Sequence, residues 1–334
     1  MTLPIPPKRR RDARLVLKAF VPGQRVVITT HVNADGDGSG SAVGLALCLE
    51  ALGCLPVIAA PTGFPDRYRF LLDGRDDLDA GTQGVKAIEQ ADLIVVLDIA
   101  DLGRLGQLGS HVASRGVPVV CIDHHMSEGQ LPPGPRMVDP AAAATGELLY
   151  DLGRVAGWEL SPAAARGLYV AMLTDTGGFR FSNTSPRVLR VAAELLECGL
   201  DPETVYAQVY ASAPEGRVRL TGHVLETLVV ENGLAWVTVP PGAMEQFGAT
   251  SEDLDGIVEF PRSIAGVRLA LLFRPIGNGR IKVSFRSMSG VDVAALAGQF
   301  DGGGHVRAAG ASLEGTLADV QAKVLEAARA VLIH

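Results

Sequence analysis

Through the first half of the chain, short β-branched and aliphatic runs alternate with stretches of helical periodicity. Residues 25–30, 55–60, 93–98 and 117–123 read as strands, and residues from about 39 to 52 as a helix. Such alternation is the signature of βαβ units and predicts an α/β domain built on a mostly parallel sheet. The runs Ile94-Val95-Val96-Leu97 and Val119-Val120-Cys121-Ile122 are apolar without alternation, as strands covered on both faces must be. Each is followed by an acid, Asp98 and Asp123, at the strand end where open α/β sheets bind ligands.

After Asp139-Pro140 the pattern turns helical over 141–155. Ser161-Pro162 then opens a helix by N-cap and N1 chemistry that runs to about residue 173, and Ser185-Pro186 and Asp201-Pro202 repeat the signal. The last two predict a helical linker, 186–214, between an N-terminal domain of 1–185 and a C-terminal domain of 215–334. In the latter, 235–239, 267–273 and 280–285 read as strands, the last two joined as a hairpin through Gly277-Asn278-Gly279. A closing helix over 316–333 makes this a smaller α+β domain.

Composition adds limits. With 334 residues and 47% hydrophobic content the chain supports two packed cores. Its 37 acidic against 30 basic residues, net −7, supply no basic face for a long nucleic-acid duplex, whereas a small or short anionic ligand needs only a few contacts. Cys48, Cys54, Cys121 and Cys198 form no C-x-x-C pair and sit in apolar segments, which predicts reduced thiols and no zinc-thiolate site. The basic run Lys8-Arg9-Arg10-Arg11 is followed by no apolar h-region, and no run of 18 apolar residues occurs, so the expectation is a cytoplasmic protein without membrane contact. The run itself reads as a solvated, mobile head rather than a nucleic-acid contact.

The chemistry gathers in four places. The first is His31-Val32-Asn33-Ala34-Asp35-Gly36-Asp37-Gly38-Ser39-Gly40-Ser41, between a strand and a helix. A dinucleotide fingerprint beginning at Gly36 fails at Ser41, and a calcium loop beginning at Asp35 fails at Ala46. The others are Asp98, the tripeptide Asp123-His124-His125, and Asp175. Carboxylates brought this close repel one another and raise each other's pKa values, a conflict that a divalent cation resolves. Carboxylates mixed with imidazoles and no thiolate suit manganese, with magnesium, cobalt or iron fitting less well.

These residues carry a resemblance. H-x-x-x-D-G-D followed in order by D, D-H-H and D is similar to the DHH phosphoesterase superfamily, and Phe300-Asp301-Gly302-Gly303-Gly304-His305 resembles the G-G-G-H signature of its associated C-terminal domain. The likeness runs from Val26 to near the C-terminus, through Gly256-Ile257-Val258, Arg262-Ser263 and Lys282 to Ser287, and is greatest to the NrnA branch. Those proteins are oligoribonucleases that also remove the 3′-phosphate of 3′-phosphoadenosine 5′-phosphate. Ala34 stands where that family often has proline, a position that offers no ligand.

The resemblance implies two manganese ions, one held by His31, Asp35 and Asp98 and the other by Asp37, Asp98, His124 and Asp175. Asp98 is then the bridge, Asp123 orients the imidazoles, and His125 and Arg104 contact the scissile phosphate. The implied reaction is hydrolysis by a water activated between two metals, without a covalent intermediate. In the second domain Arg262, Arg286, Ser287, Gly303, Gly304 and His305 are the candidate substrate-binding residues; Arg286, on a strand of apolar and small residues, wants an anionic partner. The expected partners are short RNA or DNA oligonucleotides and the nucleotide bisphosphate, and the assembly state is open, a homodimer being one option. A RecJ-like single-strand exonuclease, a phosphodiesterase for signalling dinucleotides and a nucleotide-sensing module are the alternatives. A family-two pyrophosphatase is disfavoured by Gly303-Gly304-His305.

Overall fold

A computed structural model describes residues 3–99, 101–126, 132–288 and 290–332, with the side chains of Glu252 and His305 outside the described set. The chain divides into two compact units, Met1–Ser212 and Ala213–His334.

The first unit contains α1 (Pro7–Leu17), β1 (Arg25–Thr29), α2 (Gly36–Ala51), β2 (Leu55–Ile58), α3 (Gly84–Glu89), β3 (Leu93–Leu97), α4 (Gln107–Ser114), β4 (Val119–Asp123), β5 (Arg136–Val138), α5 (Thr145–Ala156), α6 (Pro162–Asp175), α7 (Pro186–Leu196) and α8 (Pro202–Tyr210). Its five strands pair in the order β2-β1-β3-β4-β5, all parallel. Every residue of β3 and β4 is buried, which is what unalternating apolar strands require. Val26 and Ile28 pack with α2, α5 and α6 on one face, while Val27 packs with α3 and α4 on the other. Ser161, Ser185 and Asp201 cap α6, α7 and α8 by accepting from the backbone N–H three residues on, as their Pro-containing starts predict. Helices α7 and α8, read from sequence as a linker, bury Val188, Val191, Leu195, Val205 and Val209 in the first unit's core.

Two boundaries move in ways that matter for chemistry. Helix α2 begins at Gly36 rather than Ser39, because Asp35 accepts from the N–H groups of Asp37 and Gly38 at 3.0 and 3.1 Å and starts the helix early. Helix α5 begins at Thr145 rather than Ala141, so the Thr145 and Gly146 N–H groups are free to bond outside the helix. Helices α2 and α6 cross at Gly40 and Gly167; a Cβ on Gly40 would lie 2.3 Å from the Gly167 carbonyl oxygen, so the backbones touch where no side chain fits.

The basic N-terminal run departs from its expectation as a mobile head. It forms α1, and Arg9 is buried with 3% of its surface exposed. Arg9 Nε donates to Asp139 Oδ2 at 2.6 Å, and Nη1 donates to Glu147 Oε1 at 2.7 Å and Asp151 Oδ2 at 3.0 Å. Arg187 binds the same Glu147 and Asp151 from α7. Arg10 and Arg11 stay exposed, whereas Lys8, also exposed, donates to the Val138 carbonyl beside the same cluster. Truncating one member of a buried ionic cluster strands the others, and Arg9→Ala is expected to lower the unfolding free energy by about 3–5 kcal/mol. Urea unfolding checks this; a loss below about 1 kcal/mol, the ordinary worth of an exposed pair, would show that α1 is not held by the cluster.

The second unit contains α9 (Glu215–Leu225), β6 (Val229–Glu231), β7 (Leu234–Thr238), α10 (Ala243–Gln246), α11 (Glu259–Arg262), β8 (Leu269–Pro275), β9 (Arg280–Ser287), α12 (Val293–Gly298), β10 (Gly303–His305), β11 (Ala308–Glu314) and α13 (Leu317–Leu332). The strands form one mixed sheet, β10-β11-β9-β8-β7-β6, antiparallel except between β7 and β8. Phe273, Phe285 and Val283 pack under α12 and α13, and Ala235, Val237 and Leu272 pack on the opposite face with Leu220 and Val224 of α9. Among the described residues no helix is long and apolar enough to cross a membrane. All four cysteines are free; burial pushes the Cys48 and Cys121 thiols up to about 12, which leaves them inert.

Candidate functional site

The order of the parallel sheet reverses between β1 and β3, so the loops leaving those strands diverge and open a crevice at their carboxyl ends. His31 lies just beyond β1, Asp35 and Asp37 at the start of α2, Asp98 just beyond β3, and Asp123 at the end of β4 with His124 and His125 following. Asp175, the last residue of α6, completes the group. Asp98 has φ +58°, a left-handed backbone that a non-glycine residue keeps only where its surroundings enforce it.

The imidazoles are oriented by their own backbone contacts. His31 Nδ1–H donates to the Val32 carbonyl at 2.9 Å, leaving Nε2 3.5 Å from Asp98 Oδ2 and 3.7 Å from Asp35 Oδ1. His124 Nδ1 lies 3.4 Å from the Ala142 carbonyl, and its Nε2 stands 3.3 Å from Asp175 Oδ2, 3.4 Å from Asp98 Oδ1 and 3.5 Å from Asp37 Oδ2. In both, the nitrogen turned to the carboxylates is the one that can lend a lone pair. Asp98 thus shows one oxygen to His31 and the other to His124. Asp123, fully buried, accepts from His125 twice through Oδ1, from the backbone N–H at 3.0 Å and from Nδ1 at 2.8 Å.

Electrostatics set these groups against one another. Burial alone would raise the Asp98 pKa, but hydrogen bonds from His124 and His31 outweigh it and hold this carboxyl well below the usual range. Asp37 goes the other way: burial, then the charges of Asp98 and Asp175, push it far up. Burial pushes Asp175 up to about 7, with repulsion from Asp35 and Asp98 added and the pull of His124 opposing. Burial disfavours charge on both imidazoles, yet Asp35 and Asp98 push His31 up to about 10, and Asp98, Asp37 and Asp175 do the same for His124. Four carboxylates around two imidazoles in a buried crevice are short of positive charge, the condition a divalent cation relieves. Ligand atoms of His31, Asp35 and Asp98, of Asp37, His124 and Asp175, and of Asp98, His124 and His125 each lie within 4.8 Å of one another, so the donor set fits metal ions in number and type.

Sequence reasoning passed over the groups that hold Asp37. Thr145 N–H donates to its Oδ2 at 2.6 Å, Gly146 N–H to Oδ1 at 3.0 Å, and Ser41 Oγ to Oδ1 at 2.9 Å, while Thr145 Oγ1 donates to Asp98 Oδ1 at 3.1 Å. Thr-Gly after the run Ala141 to Ala144 was the available signal, hidden by reading the alanines as helix. Arg104 lies in the 3-10 turn Leu102–Leu105, and its carbonyl accepts from Val32 N–H at 2.8 Å, which pins that turn to the loop carrying His31.

In the second unit, strand register sets Arg286 opposite Ala308 and Ala308 opposite His305, one row across β9, β11 and β10. The side chain of His305 lies outside the described residues. The anionic partner that Arg286 wants is supplied within the chain: Nε sits 3.3 Å from Glu259 Oε1, and Arg262 pairs with the same carboxylate. Ser287 needs correcting as a ligand contact. It is fully buried and its hydroxyl donates to the Val291 carbonyl at 2.7 Å, so it ties down the segment after β9 and presents no polar group to a substrate. The glycine run forms edge strand β10; a Cβ on Gly304 would fall 2.5 Å from the Ala308 carbonyl oxygen, so its smallness serves the pairing with β11, whereas Gly303 faces open space.

The profile of the DHH family, N-terminal domain, matches residues 25–172, and that of the DHHA1 domain matches residues 233–333. The chain is 37% identical to the bifunctional oligoribonuclease and PAP phosphatase NrnA of Thermus thermophilus, covering 94% of this chain and 91% of that protein. It is 31% identical to the protein of that name from Bacillus subtilis, over 86% and 89% of the two chains. Among solved structures, an exopolyphosphatase-related protein from Bacteroides fragilis superposes with a TM-score of 0.88 at 28% identity, covering 99% of this chain and 97% of that one. The chain therefore belongs to the DHH family of phosphoesterases, with its DHHA1 domain, and to the NrnA branch of that family.

Proposed function

We propose that the protein is a manganese-dependent hydrolase that cleaves short oligonucleotides to mononucleotides and removes the 3′-phosphate of 3′-phosphoadenosine 5′-phosphate. The observation that carries this reading is Asp98, buried at the reversal of the sheet with its two oxygens turned to two different imidazole–carboxylate sets. The names of the relatives from Thermus thermophilus and Bacillus subtilis give the substrate class.

In this reading His31, Asp35 and Asp98 hold one divalent cation, and Asp37, Asp98, His124 and Asp175 the other. What two bound cations supply is activation of water near neutral pH and neutralisation of charge building on the phosphorus oxygens. The remaining work falls to side chains. Asp123 engages His125 Nδ1, so Nε2 is the nitrogen that meets a phosphate oxygen, and Arg104 adds a second cationic contact. Arg262 and Arg286 bind the substrate's other anionic groups in competition with Glu259, with Gly303, Gly304 and His305 beside them.

The deciding experiment is a manganese-supplemented assay comparing a 5′-phosphorylated dinucleotide, a 24-mer, a cyclic dinucleotide and the adenosine bisphosphate. Preference for the dinucleotide, with release of adenosine monophosphate from the bisphosphate, is expected. Preference for the 24-mer would move the assignment to a RecJ-like exonuclease, and preference for the cyclic dinucleotide to a signalling phosphodiesterase. Within the same reading, Arg286→Ala is expected to lower kcat/KM on the dinucleotide by roughly ten- to a hundredfold, the worth of one charge-assisted hydrogen bond. A nitrophenyl phosphodiester, which lacks the second nucleotide and the terminal phosphate, serves as the internal comparison; equal losses on both at unchanged Tm would remove Arg286 from substrate binding.

A further inference from the structure

Only 5% of the chain is aromatic, and among the described residues four aromatic side chains are exposed: Phe181, Tyr206, Tyr210 and Phe260. Two of them, Tyr206 and Tyr210, pair on α8, and Phe181 follows the carboxyl end of α6, the end that carries Asp175. They are not loosely hung there. Phe181 and Arg180 both donate their backbone N–H to the Thr176 carbonyl, at 2.9 and 3.0 Å, and the Phe181 ring lies over Gly177, where a Cβ would meet three ring atoms at 2.4–2.6 Å. The Arg180 guanidinium sits 5.8 Å from the centre of that ring. On α8, Tyr206 and Tyr210 are one turn apart with ring centres separated by 5.0 Å, and the Tyr210 hydroxyl donates to the Leu173 carbonyl at 3.3 Å, two residues before Asp175. Arg67 Nη2 donates to the Val209 carbonyl at 3.1 Å, which puts a second cation at the end of α8 that carries Tyr210.

Exposed, positioned aromatic rings interleaved with arginine are the means by which proteins hold unpaired nucleobases without reading sequence. We propose that Phe181, Tyr206 and Tyr210, with Arg180, form a stacking shelf for the nucleobases that lie across the scissile phosphate from the one base that a nucleoside bisphosphate possesses. The inference rests on the proposed function for its substrate class, and it explains how one metal site serves both a bisphosphate and an oligonucleotide: the shelf is occupied only by the latter.

The test is the ratio of kcat/KM for a 5′-phosphorylated trinucleotide to kcat/KM for 3′-phosphoadenosine 5′-phosphate. Phe181→Leu and Tyr206→Leu keep apolar bulk but lose the π-face, and each is expected to lower this ratio by roughly ten- to a hundredfold. Tyr206→Trp is expected to keep the ratio or raise it, an outcome that a merely structural role does not produce. Binding provides a readout independent of turnover: a trinucleotide with 2-aminopurine in its second position is expected to be quenched by the wild-type protein with manganese present, and less so by the leucine variants. Quenching that depends on Tyr206 in a protein that cleaves neither substrate upholds the shelf and overturns the assigned reaction. An unchanged ratio and unchanged quenching in both leucine variants overturn the shelf, and if self-association is lost at the same time the patch is a contact between copies of the chain.

Discussion

Asp98→Asn is expected to lose turnover and bound manganese together. The substitution removes one negative charge and little else. Asparagine tolerates the left-handed backbone at φ +58°, where alanine would be strained by about 1–2 kcal/mol, and it keeps an oxygen for the Thr145 hydroxyl. A fall in folding stability is therefore a minor part of the expected effect. What disappears is the anion facing both His31 and His124, so both cation positions lose a ligand in one step. Altering a residue that merely supports a metal ligand lowers affinity or activity by about 10–100-fold, and removing a ligand shared by two ions should exceed that range. Elemental analysis and turnover are measured on the same preparation. Two manganese ions per chain in an inactive Asp98→Asn protein would show that this carboxylate acts on the substrate instead of joining the metals.

His125→Ala is expected to separate the two quantities that Asp98→Asn removes together. With Nδ1 donating to Asp123, the ring is held by a carboxylate that faces no other imidazole nitrogen among the described residues, whereas His31 and His124 turn Nε2 into the acidic crevice. Metal content is expected to remain at two ions per chain while kcat falls by about 10²–10⁴, the usual contribution of a positioned imidazole. Because His125 Nδ1 also lies 3.6 Å from Asp98 Oδ1, a competing role as a ligand makes a different forecast, namely loss of metal along with rate. Full kcat on dinucleotides would refute the phosphate contact.

The parallel sheet and its acid-bearing strand ends were legible because β3 and β4 are covered on both faces and show it as uninterrupted apolar runs. Helices opened by Ser-Pro or Asp-Pro were equally plain, since the cap and the fixed proline φ act within four residues. The site's histidines and aspartates could be named because they sit at the ends of strands and helices, where such residue types have no packing role. What stayed hidden was decided at long range. Nothing local distinguishes Arg9 from Arg10 and Arg11; its burial depends on Glu147 and Asp151, 138 and 142 residues away. Ser287 looked available because its neighbours are short or charged, and only the backbone of Val291 shows where its hydroxyl goes. Gly303 and Gly304 lie in strand β10 although glycine is a poor strand former, because pairing with β11 overrides that preference. Tyr206 and Tyr210 alternate with Val205 and Val209 along one helix, and packing on α6 decides which pair is covered.

The buried Arg9 also sets an order of events during synthesis. The segment that becomes α1 leaves the ribosome well before the carboxylates that neutralise its guanidinium, and Arg187 is translated later still. Until the chain has emerged beyond residue 187, either Arg9 waits in water or the nascent domain encloses an unbalanced charge, and the second alternative is far too unfavourable to populate. At about 5–20 residues per second that interval lasts on the order of ten to forty seconds. Docking of α1 is thus a late step that cannot precede the appearance of α5 and α7, and a ribosome-bound chain arrested before residue 187 should leave its N-terminal segment open to proteases that spare the finished protein.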